Sequence, residues 1–128
     1  MSESKLSILV VDNKDYMRTM VMWAIKEHQP IGARNGKEAI ELLQKNKIDV
    51  AIIEIDLPDY KGVQLIKEIK RILPKTFVIV LSSTCDRKTV NDCIQNGAGG
   101  YSTKPFQKNK IDIYLKKFIS DNVFDELF

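Results

Sequence analysis

The sequence predicts an α/β domain in which helices cover both faces of a five-stranded parallel sheet. Residues 50–53 and 77–81 are continuous apolar runs without polar alternation, which is typical of strands buried on both faces. Strand and helix patterns alternate five times, as in a doubly wound sheet. No repeat, linker or low-complexity segment interrupts the 128 residues. We therefore expect one domain over residues 1–128, with a core over 6–119 and a C-terminal tail or linker remnant over 120–128.

The composition argues against several classes of partner. The net charge of +3 comes from 20 basic and 17 acidic residues spread along the chain, whereas nucleic-acid binding needs a clustered basic face. No apolar run approaches the roughly 20 residues of a membrane span, and residues 1–5 do not resemble a signal peptide. Cys85 and Cys93 lack metal-site spacing, so we expect reduced thiols. These features predict a cytoplasmic protein that binds neither nucleic acid nor membrane.

The first strand and the first helix follow from the opening apolar pattern. Residues 6–11 form an apolar strand that ends at Asp12 and Asn13, and either side chain is suited to cap the next helix. Residues 16–26 have the apolar spacing of that helix. Its predicted apolar positions are Met17, Met20, Val21 and Ala24.

The second strand is predicted to be weak and to lie at the edge of the sheet. Residues 29–33 contain Pro30 and Gly32, which strands tolerate best at an edge. Asn35 then opens a second helix as its N-cap, and Glu38, three residues later, resembles the partner in a capping box. The apolar positions of this helix are Ala39, Ile40, Leu42 and Leu43.

The alternation continues to the end of the chain. Residues 62–73 have helical apolar spacing and end before Pro74. The remaining elements are strand 77–81, a helix that Asp86 caps and that stops at Asn96 and Gly97, strand 98–102 and helix 108–119. The predicted inward positions of the last helix are Ile111, Tyr114, Leu115 and Phe118.

Polar side chains follow the strands at one edge of the predicted sheet. They are Asp12, Asn13, Glu54, Ser82 and, just past the last strand, Lys104. Because ligands of open α/β sheets bind outside the carboxyl ends of the strands, we expect these side chains to line one pocket. Acids suit Mg²⁺, whereas a hydroxyl and an ammonium suit phosphoryl oxygens. The chain has no Gly-rich nucleotide loop, so the pattern favours phosphoryl chemistry of another kind.

Four motifs carry a resemblance to a known family. They are Ile8–Asp12, the loop from Leu57 and Pro58 to Gly62, Ile79–Ser82 and Gly97–Phe106. Together they resemble the receiver domain of two-component response regulators, in particular the chemotaxis-type single-domain receiver. The resemblance implies a flavodoxin-like receiver fold with the strand order 2-1-3-4-5.

The resemblance also implies roles for individual residues. Receivers take a phosphoryl group from a histidine kinase onto an aspartate at the end of the third strand. Ser82 resembles the hydroxyl that responds to phosphorylation, Lys104 the phosphate-binding lysine and Tyr101 the aromatic switch. Asp12 resembles the first acid of the Mg²⁺ site, and the resemblance implies a cis peptide before Pro105. Without the family, Tyr101 would be interpreted as a half-buried strand tyrosine.

Two positions depart from the family pattern. Glu54 occupies the phosphoacceptor position, and its carboxylate reaches about one C–C bond further, where a misplacement of ~1 Å can cost ~100-fold in rate. Asn13 replaces the second metal-binding acid, so Mg²⁺ remains a possible cofactor but should bind more weakly. Asp56 occupies the position whose carbonyl ligates metal in the family. Its side chain is a candidate water-mediated ligand or substitute acceptor.

Three functions compete. The first is a degenerate receiver that is not phosphorylated at the usual site, acts by protein–protein contact and is no enzyme. The second is a phospho-accepting receiver whose acceptor was changed to Glu54 as a mimic of the activated state. The third, a phosphohydrolase on the same fold, is weakest, because no second nucleophile or general base accompanies the acids.

Partner surfaces are predicted at the end of the chain. A histidine kinase or another signalling protein is the expected partner, and residues 86–119 form the face that partners contact in the family. The basic residues of this face are Arg87, Lys88, Lys108, Lys110, Lys116 and Lys117. They suit an acidic partner or self-association, or they are simply solvated. Residues 120–128 are predicted to be a docked helical turn, a partner helix or a linker remnant.

The resting site is predicted to contain a direct Glu54–Lys104 ion pair, because an unpaired buried carboxylate is costly. We expect Ser82 to be only partly engaged and Tyr101 to be intermediate or mixed in rotamer, since one carboxylate carries less charge than a phosphoryl group. His28 is predicted to lie on the surface at a helix end. Trp23 and the neighbouring methionines are predicted to be packing or surface cover.

Overall fold

A computed structural model describes residues 5–83 and 86–127, with side chains through residue 121. The strands are β1 (Ile8–Val11), β2 (Ile31–Ala33), β3 (Val50–Ile53), β4 (Phe77–Ser82) and β5 (Ala98–Thr103). The helices are α1 (Asp15–Ala24), α2 (Gly36–Lys45), α3 (Gly62–Ile72), α4 (Arg87–Gln95) and α5 (Lys108–Leu127), with a 3-10 turn at Lys26–His28. No helix of the described residues is long and apolar enough to cross a membrane.

The five strands form one parallel sheet in the order β2-β1-β3-β4-β5. This order and the edge position of β2 agree with the sequence-based expectation. The central strand β3 lies between β1 and β4, and all four of its residues are buried. Its continuous apolar composition is therefore explained by helices that cover both faces of the sheet.

The core consists of two layers, one on each face of the sheet. On one face α1 and α5 pack on the strands through Met17, Val21, Ile111 and Leu115. On the other face α2, α3 and α4 do so through Leu43, Leu65, Ile66, Ile69 and Cys93. Cys93 is a buried free thiol, as predicted, whereas Cys85 lies outside the described residues.

The start of α1 differs from the prediction. The N-cap is Lys14, and no side chain caps it. Asp12 instead accepts a hydrogen bond from the Lys14 N–H at 3.0 Å, because its carboxylate lies at the strand end. Met20 is 47% exposed, so its assignment to the apolar face was wrong. It lies about 60° around the helix from the buried Met17.

The N-terminus of α2 is capped from two sides. Asn35 Oδ1 accepts the Glu38 N–H at 2.8 Å, as predicted, while Glu38 Oε1 accepts the Arg34 N–H at 2.8 Å. In addition, the two carboxylate oxygens of Asp59 accept the N–H groups of Gly36 and Lys37 at 2.8 and 2.9 Å. This contact holds the loop after β3 against α2, since helix N-termini leave free N–H donors.

The last helix is longer than predicted. α5 continues from the predicted end at Ile119 through Leu127, because no glycine or proline follows to stop it. Residues 120–127 therefore extend a helix, and whether this segment docks on the domain, binds a partner or is a linker remnant stays a prediction, because its side chains from residue 122 onward lie outside those described. His28 was placed on the surface, but it is half-buried and its Nδ1 accepts the Leu6 N–H at 3.0 Å.

Candidate functional site

The backbone of the sheet brings three charged side chains to one edge. Asp12 and Glu54 follow the adjacent strands β1 and β3, and the Glu54 N–H extends that ladder by donating to Val11 O at 2.9 Å. Lys104 follows β5, and its N–H donates to Ser82 O at 2.9 Å. The Lys104–Pro105 peptide bond is cis, as predicted. The hydrogen bonds of the parallel sheet therefore fix the backbone positions from which all three side chains extend.

Lys104 lies between two buried carboxylates. Its Nζ is 2.5 Å from Glu54 Oε1 and 3.0 Å from Asp12 Oδ2. Asp12 and Glu54 are 3% and 5% exposed, so little water reaches either acid. The predicted Glu54–Lys104 pair is confirmed. Its extension to Asp12 was not foreseen, and together the three residues form a triad that carries one net negative charge.

The protonation states of Glu54 and Lys104 follow from opposing effects. Burial raises the pKa of Glu54, but the hydrogen bond with Lys104, the Asp56 N–H at 3.0 Å from Oε2 and the Ser82 hydroxyl together hold that pKa below its usual value. Burial lowers the pKa of Lys104, but the contacts with Glu54 and Asp12 raise it by more than burial lowers it, so that it lies above the usual value. The pair is therefore ionised at neutral pH.

Ser82 connects the triad to Tyr101. The Ser82 side chain is fully buried, and its hydroxyl contributes to lowering the pKa of both Glu54 and Tyr101. Burial is the main cause that raises the pKa of Tyr101 to about 12, so the phenol is neutral and available as a donor. The structure thus brings together Glu54, Ser82 and Tyr101. The predicted partial engagement of Ser82 and mixed rotamer of Tyr101 remain predictions.

Two residues that support the site were missed by the sequence reasoning. Tyr114 Oη accepts the Tyr101 N–H at 3.3 Å and donates to Tyr101 O at 3.2 Å, which clamps the backbone of the tyrosine. A Cβ at Gly100 would lie 2.8 Å from the Tyr114 ring, so only a glycine leaves room for this ring. Gly100, together with the predicted inward position of Tyr114, was the signal in the sequence that could have indicated this contact. Arg18 Nη1 donates to Asp12 O at 2.7 Å, and no sequence pattern pointed to this contact.

The Asn13 side chain does not join the triad among the described residues. Asn13 is exposed, and its side chain makes no hydrogen bond within the described part of the chain. Asp56 is exposed as well, and its backbone N–H donates to Glu54 Oε2 at 3.0 Å. Across residues 5–83 and 86–121, no three acidic, histidine or cysteine side chains are grouped as metal ligands. Asp12 and Glu54 suit Mg²⁺ chemically, but Lys104 already binds both, so the donor set is incomplete for a divalent cation.

Comparison with known proteins gives the class of the molecule. Residues 8–116 match the family model described as the response regulator receiver domain. The chain therefore belongs to the response regulator receiver family, whose members act in two-component signalling. Receivers of this family generally bind Mg²⁺ at the acceptor site and interact with histidine kinases and other signalling proteins.

The chain is similar to single-domain receivers. It is 34% identical over 113 residues to the chemotaxis protein CheY of Thermotoga maritima, covering 86% of this chain and 94% of the relative. It is 30% identical over 106 residues to CheY of Halobacterium salinarum, covering 81% and 88%. The structure of a CheY-like receiver from Methanospirillum hungatei superposes with a TM-score of 0.86 at 17% identity, covering 95% and 99%. The last comparison supports the fold alone.

Proposed function

We propose that this protein is a degenerate receiver that is not phosphorylated at the usual position and signals by protein–protein contact. The observation that carries this proposal is the triad: Lys104 Nζ lies 2.5 Å from Glu54 and 3.0 Å from Asp12. The ammonium thereby occupies the place between the carboxylates where a phosphoryl group and its cation need room. Lys104 acts as a fixed internal counter-ion.

Phosphoryl transfer to Glu54 is disfavoured for two reasons. One carboxylate oxygen is held by Lys104 and the other by the Asp56 N–H, so in-line attack requires breaking charge-assisted contacts. Mg²⁺, where a receiver binds it, neutralises charge on the transferring group. Here Asn13 supplies no negative charge at the second acid position, and we propose that Mg²⁺ binds weakly to Asp12.

Contact with a partner would use the face formed by residues 86–119. Its described surface is basic: Lys110, Lys116 and Lys117 are exposed without an ion pair among the described residues, whereas Lys108 is paired with Asp112 at 2.9 Å. An acidic signalling protein fits this surface through charge complementarity. Self-association through the same face is the alternative, and charge reversal at Lys116 and Lys117 tests both, because an association unchanged by it would exclude this face.

Acetyl phosphate with Mg²⁺ tests the main proposal. Intact mass spectrometry should detect no phosphoryl adduct on the wild-type protein. The Glu54→Asp and Glu54→Asp/Asn13→Asp variants should become labelled, the double variant faster because it restores a second anionic ligand. Glu54→Asp/Lys104→Met is the matched control, since it restores the acceptor without the phosphate-binding ammonium. A wild-type adduct located at Glu54 would overturn the proposal, whereas an adduct at Asp56 would assign that residue as the substitute acceptor.

A second candidate, a mimic of the activated state, is favoured by one observation. The buried Ser82 hydroxyl lowers the pKa of both Glu54 and Tyr101, so the carboxylate already interacts with the hydroxyl that a phosphoryl group would engage. Beryllofluoride, an analogue of the phosphoryl group, separates the candidates when applied to the Glu54→Asp variant. If the wild-type amide chemical shifts of Ser82 and Tyr101 match the variant with beryllofluoride, Glu54 is a mimic. If they match the variant without it, Glu54 holds the resting state.

A further inference from the structure

The free edge of β5 is bonded at one residue by a side chain of α5. β5 is the last strand of the sheet, and the Lys104 N–H that follows it donates inward to Ser82 O. Neighbouring residues of a strand point their N–H and C=O groups to opposite sides, so those of Tyr101, three residues earlier, point away from β4. The Tyr101 N–H donates to Tyr114 Oη at 3.3 Å, and the Tyr114 hydroxyl donates to Tyr101 O at 3.2 Å. One hydroxyl therefore bonds the groups that a neighbouring strand would otherwise bond.

The strand leaves room for this contact. A Cβ at Gly100 would lie 2.8 Å from the Tyr114 ring, so a larger residue would displace the ring. A glycine within a strand often marks such a close approach. The Tyr114 ring also lies beside Phe77, with ring centres 6.3 Å apart and planes tilted by 45°, a favourable arrangement for two aromatic rings. Gly100 and Phe77 thus place the Tyr114 hydroxyl at the edge of β5.

The two neighbours of Tyr101 add no polar contact on the α5 side. Gly100 faces α5, because a Cβ there would touch Tyr114, and alternation along a strand puts Ser102 on the same face. Ser102 is 2% exposed, and its hydroxyl has no hydrogen-bond partner in the part of the chain that the structure describes. Tyr114 therefore supplies a polar tie between β5 and α5 that neither neighbour provides.

We propose that Tyr114 is a positioning residue for Tyr101 and keeps the Tyr101 phenol beside Ser82. The Tyr101 side chain lies on the opposite face of β5 from Gly100, where it packs on the core layer of α2, α3 and α4. There the Ser82 hydroxyl contributes to lowering the pKa of the phenol. The backbone of Tyr101 is thus held by α5 while its phenol interacts with Ser82, so a displacement of Tyr114 moves the phenol relative to that hydroxyl.

This arrangement connects α5 to the triad. The connection runs from Tyr114 to Tyr101 and then to Ser82, which also lowers the pKa of Glu54. A partner that moves α5 should therefore change the surroundings of Glu54, and by linkage a change at Glu54 should alter the affinity for that partner. This consequence rests on the proposed function, in which partners contact the face formed by residues 86–119, whereas the positioning of Tyr101 does not.

NMR spectroscopy of the wild-type chain and the Tyr114→Phe variant tests the proposal. Phenylalanine keeps the ring against Gly100 but removes both hydrogen bonds to Tyr101. The Tyr101 N–H should exchange with solvent at least about tenfold faster. The resonances of the Ser82 amide and of the Glu54 carboxyl carbon should shift as well, although neither group touches Tyr114. Gly100→Ala, which displaces the ring but keeps the hydroxyl, should shift the same resonances.

Tyr60→Phe is the matched control. Tyr60 is also half-buried with its ring against a glycine, Gly36, but its hydroxyl makes no hydrogen bond among the described residues. This variant should leave the exchange of the Tyr101 N–H at its wild-type rate. Unchanged exchange in Tyr114→Phe would overturn the proposal. Faster exchange with unchanged Ser82 and Glu54 resonances would overturn it too, because Tyr114 would then only cap the strand edge.

The outcome is independent of phosphoryl transfer. A phosphoryl adduct at Glu54 in the acetyl phosphate experiment would overturn the proposed function and leave the positioning of Tyr101 by Tyr114 intact. Conversely, a Tyr114→Phe variant with wild-type spectra at Ser82 and Tyr101 would exclude the positioning role without restoring Glu54 as an acceptor.

Discussion

The two ends of the parallel strands each contain a partly buried lysine, and the two lysines are held by different groups. At the carboxyl edge Lys104 binds the side chains of Glu54 and Asp12. At the opposite edge Lys70 Nζ donates to the backbone carbonyls of Pro74 and Thr76 at 3.1 and 2.6 Å. The pKa values differ accordingly: the acids hold that of Lys104 above its usual value, whereas burial lowers that of Lys70.

This difference separates a site from a structural contact. Backbone carbonyls are fixed by the fold, so Lys70 stabilises the turn between α3 and β4 and has nothing to exchange. The charge of a carboxylate changes when it binds a proton or a cation, so the contacts within the triad of Asp12, Glu54 and Lys104 depend on pH and on ions, whereas those of Lys70 with carbonyls do not. Buried polar side chains bonded to each other are therefore the better indication of function.

The largest expected effect is that of Lys104→Met, which should reduce the free energy of unfolding by about 3 kcal/mol. The substitution leaves Asp12 and Glu54 buried beside each other without a counter-ion. Lys70→Met is the matched control and should cost only about 1 kcal/mol, because it loses hydrogen bonds to two carbonyls. Urea unfolding at neutral pH measures both. Equal losses of unfolding free energy would show that the two lysines contribute alike to stability.

An intermediate effect is expected at Thr76, on the Lys70 side of the sheet. The hydroxyl of this buried residue donates to Ile48 O at 2.6 Å. Thr76→Val keeps the shape but leaves that carbonyl without this donor, so it should cost about 1.5 kcal/mol. Thermal unfolding should show the same loss at pH 5 and at pH 8, because no titrating group is removed. A loss that varied with pH would show that the Thr76 contact is coupled to the charged triad at the carboxyl ends of the strands.

The smallest effect, and the sharpest in its pH dependence, is that of Glu54→Gln. The glutamine amide can still accept the Asp56 N–H, and Lys104 still pairs with Asp12. The free energy of unfolding at neutral pH should therefore fall by only about 1 kcal/mol. Because the folded pKa of Glu54 lies below the usual value of 4.5, its contribution is present above that value and is lost as pH falls through the folded pKa. At high pH the contribution is lost only as Lys104 titrates, above its usual 10.5.

Paired urea titrations of wild type and Glu54→Gln from about pH 3 to pH 8 measure this dependence. The two curves should converge below the usual carboxylate pKa. A constant difference down to about pH 3 would show that Glu54 contributes through shape alone.

Much of this molecule could be predicted from local pattern. The apolar run Val50–Ile53 indicated a strand buried on both faces, and Pro30 with Gly32 indicated the edge strand. Asn35 was identified as an N-cap because capping depends on neighbours within one helical turn. The charged residues of the site could be identified because each of them follows a predicted strand in the sequence. Their departures from the receiver pattern, Glu54 and Asn13, were equally visible.

Tertiary structure alone decided which of these residues meet. The bond from Lys104 to Asp12 joins positions 92 residues apart, and its length depends on the register and twist of the four strands from β1 to β5, which no local pattern records. The Arg18 and Tyr114 contacts with the backbone around the site depend on how α1 and α5 pack on the sheet. The exposure of Met20 depends on which face of α1 is covered by the neighbouring elements. Local pattern thus determined the elements and their polar ends, whereas long-range packing determined the distances, because side-chain pairing depends on surroundings contributed by distant parts of the chain.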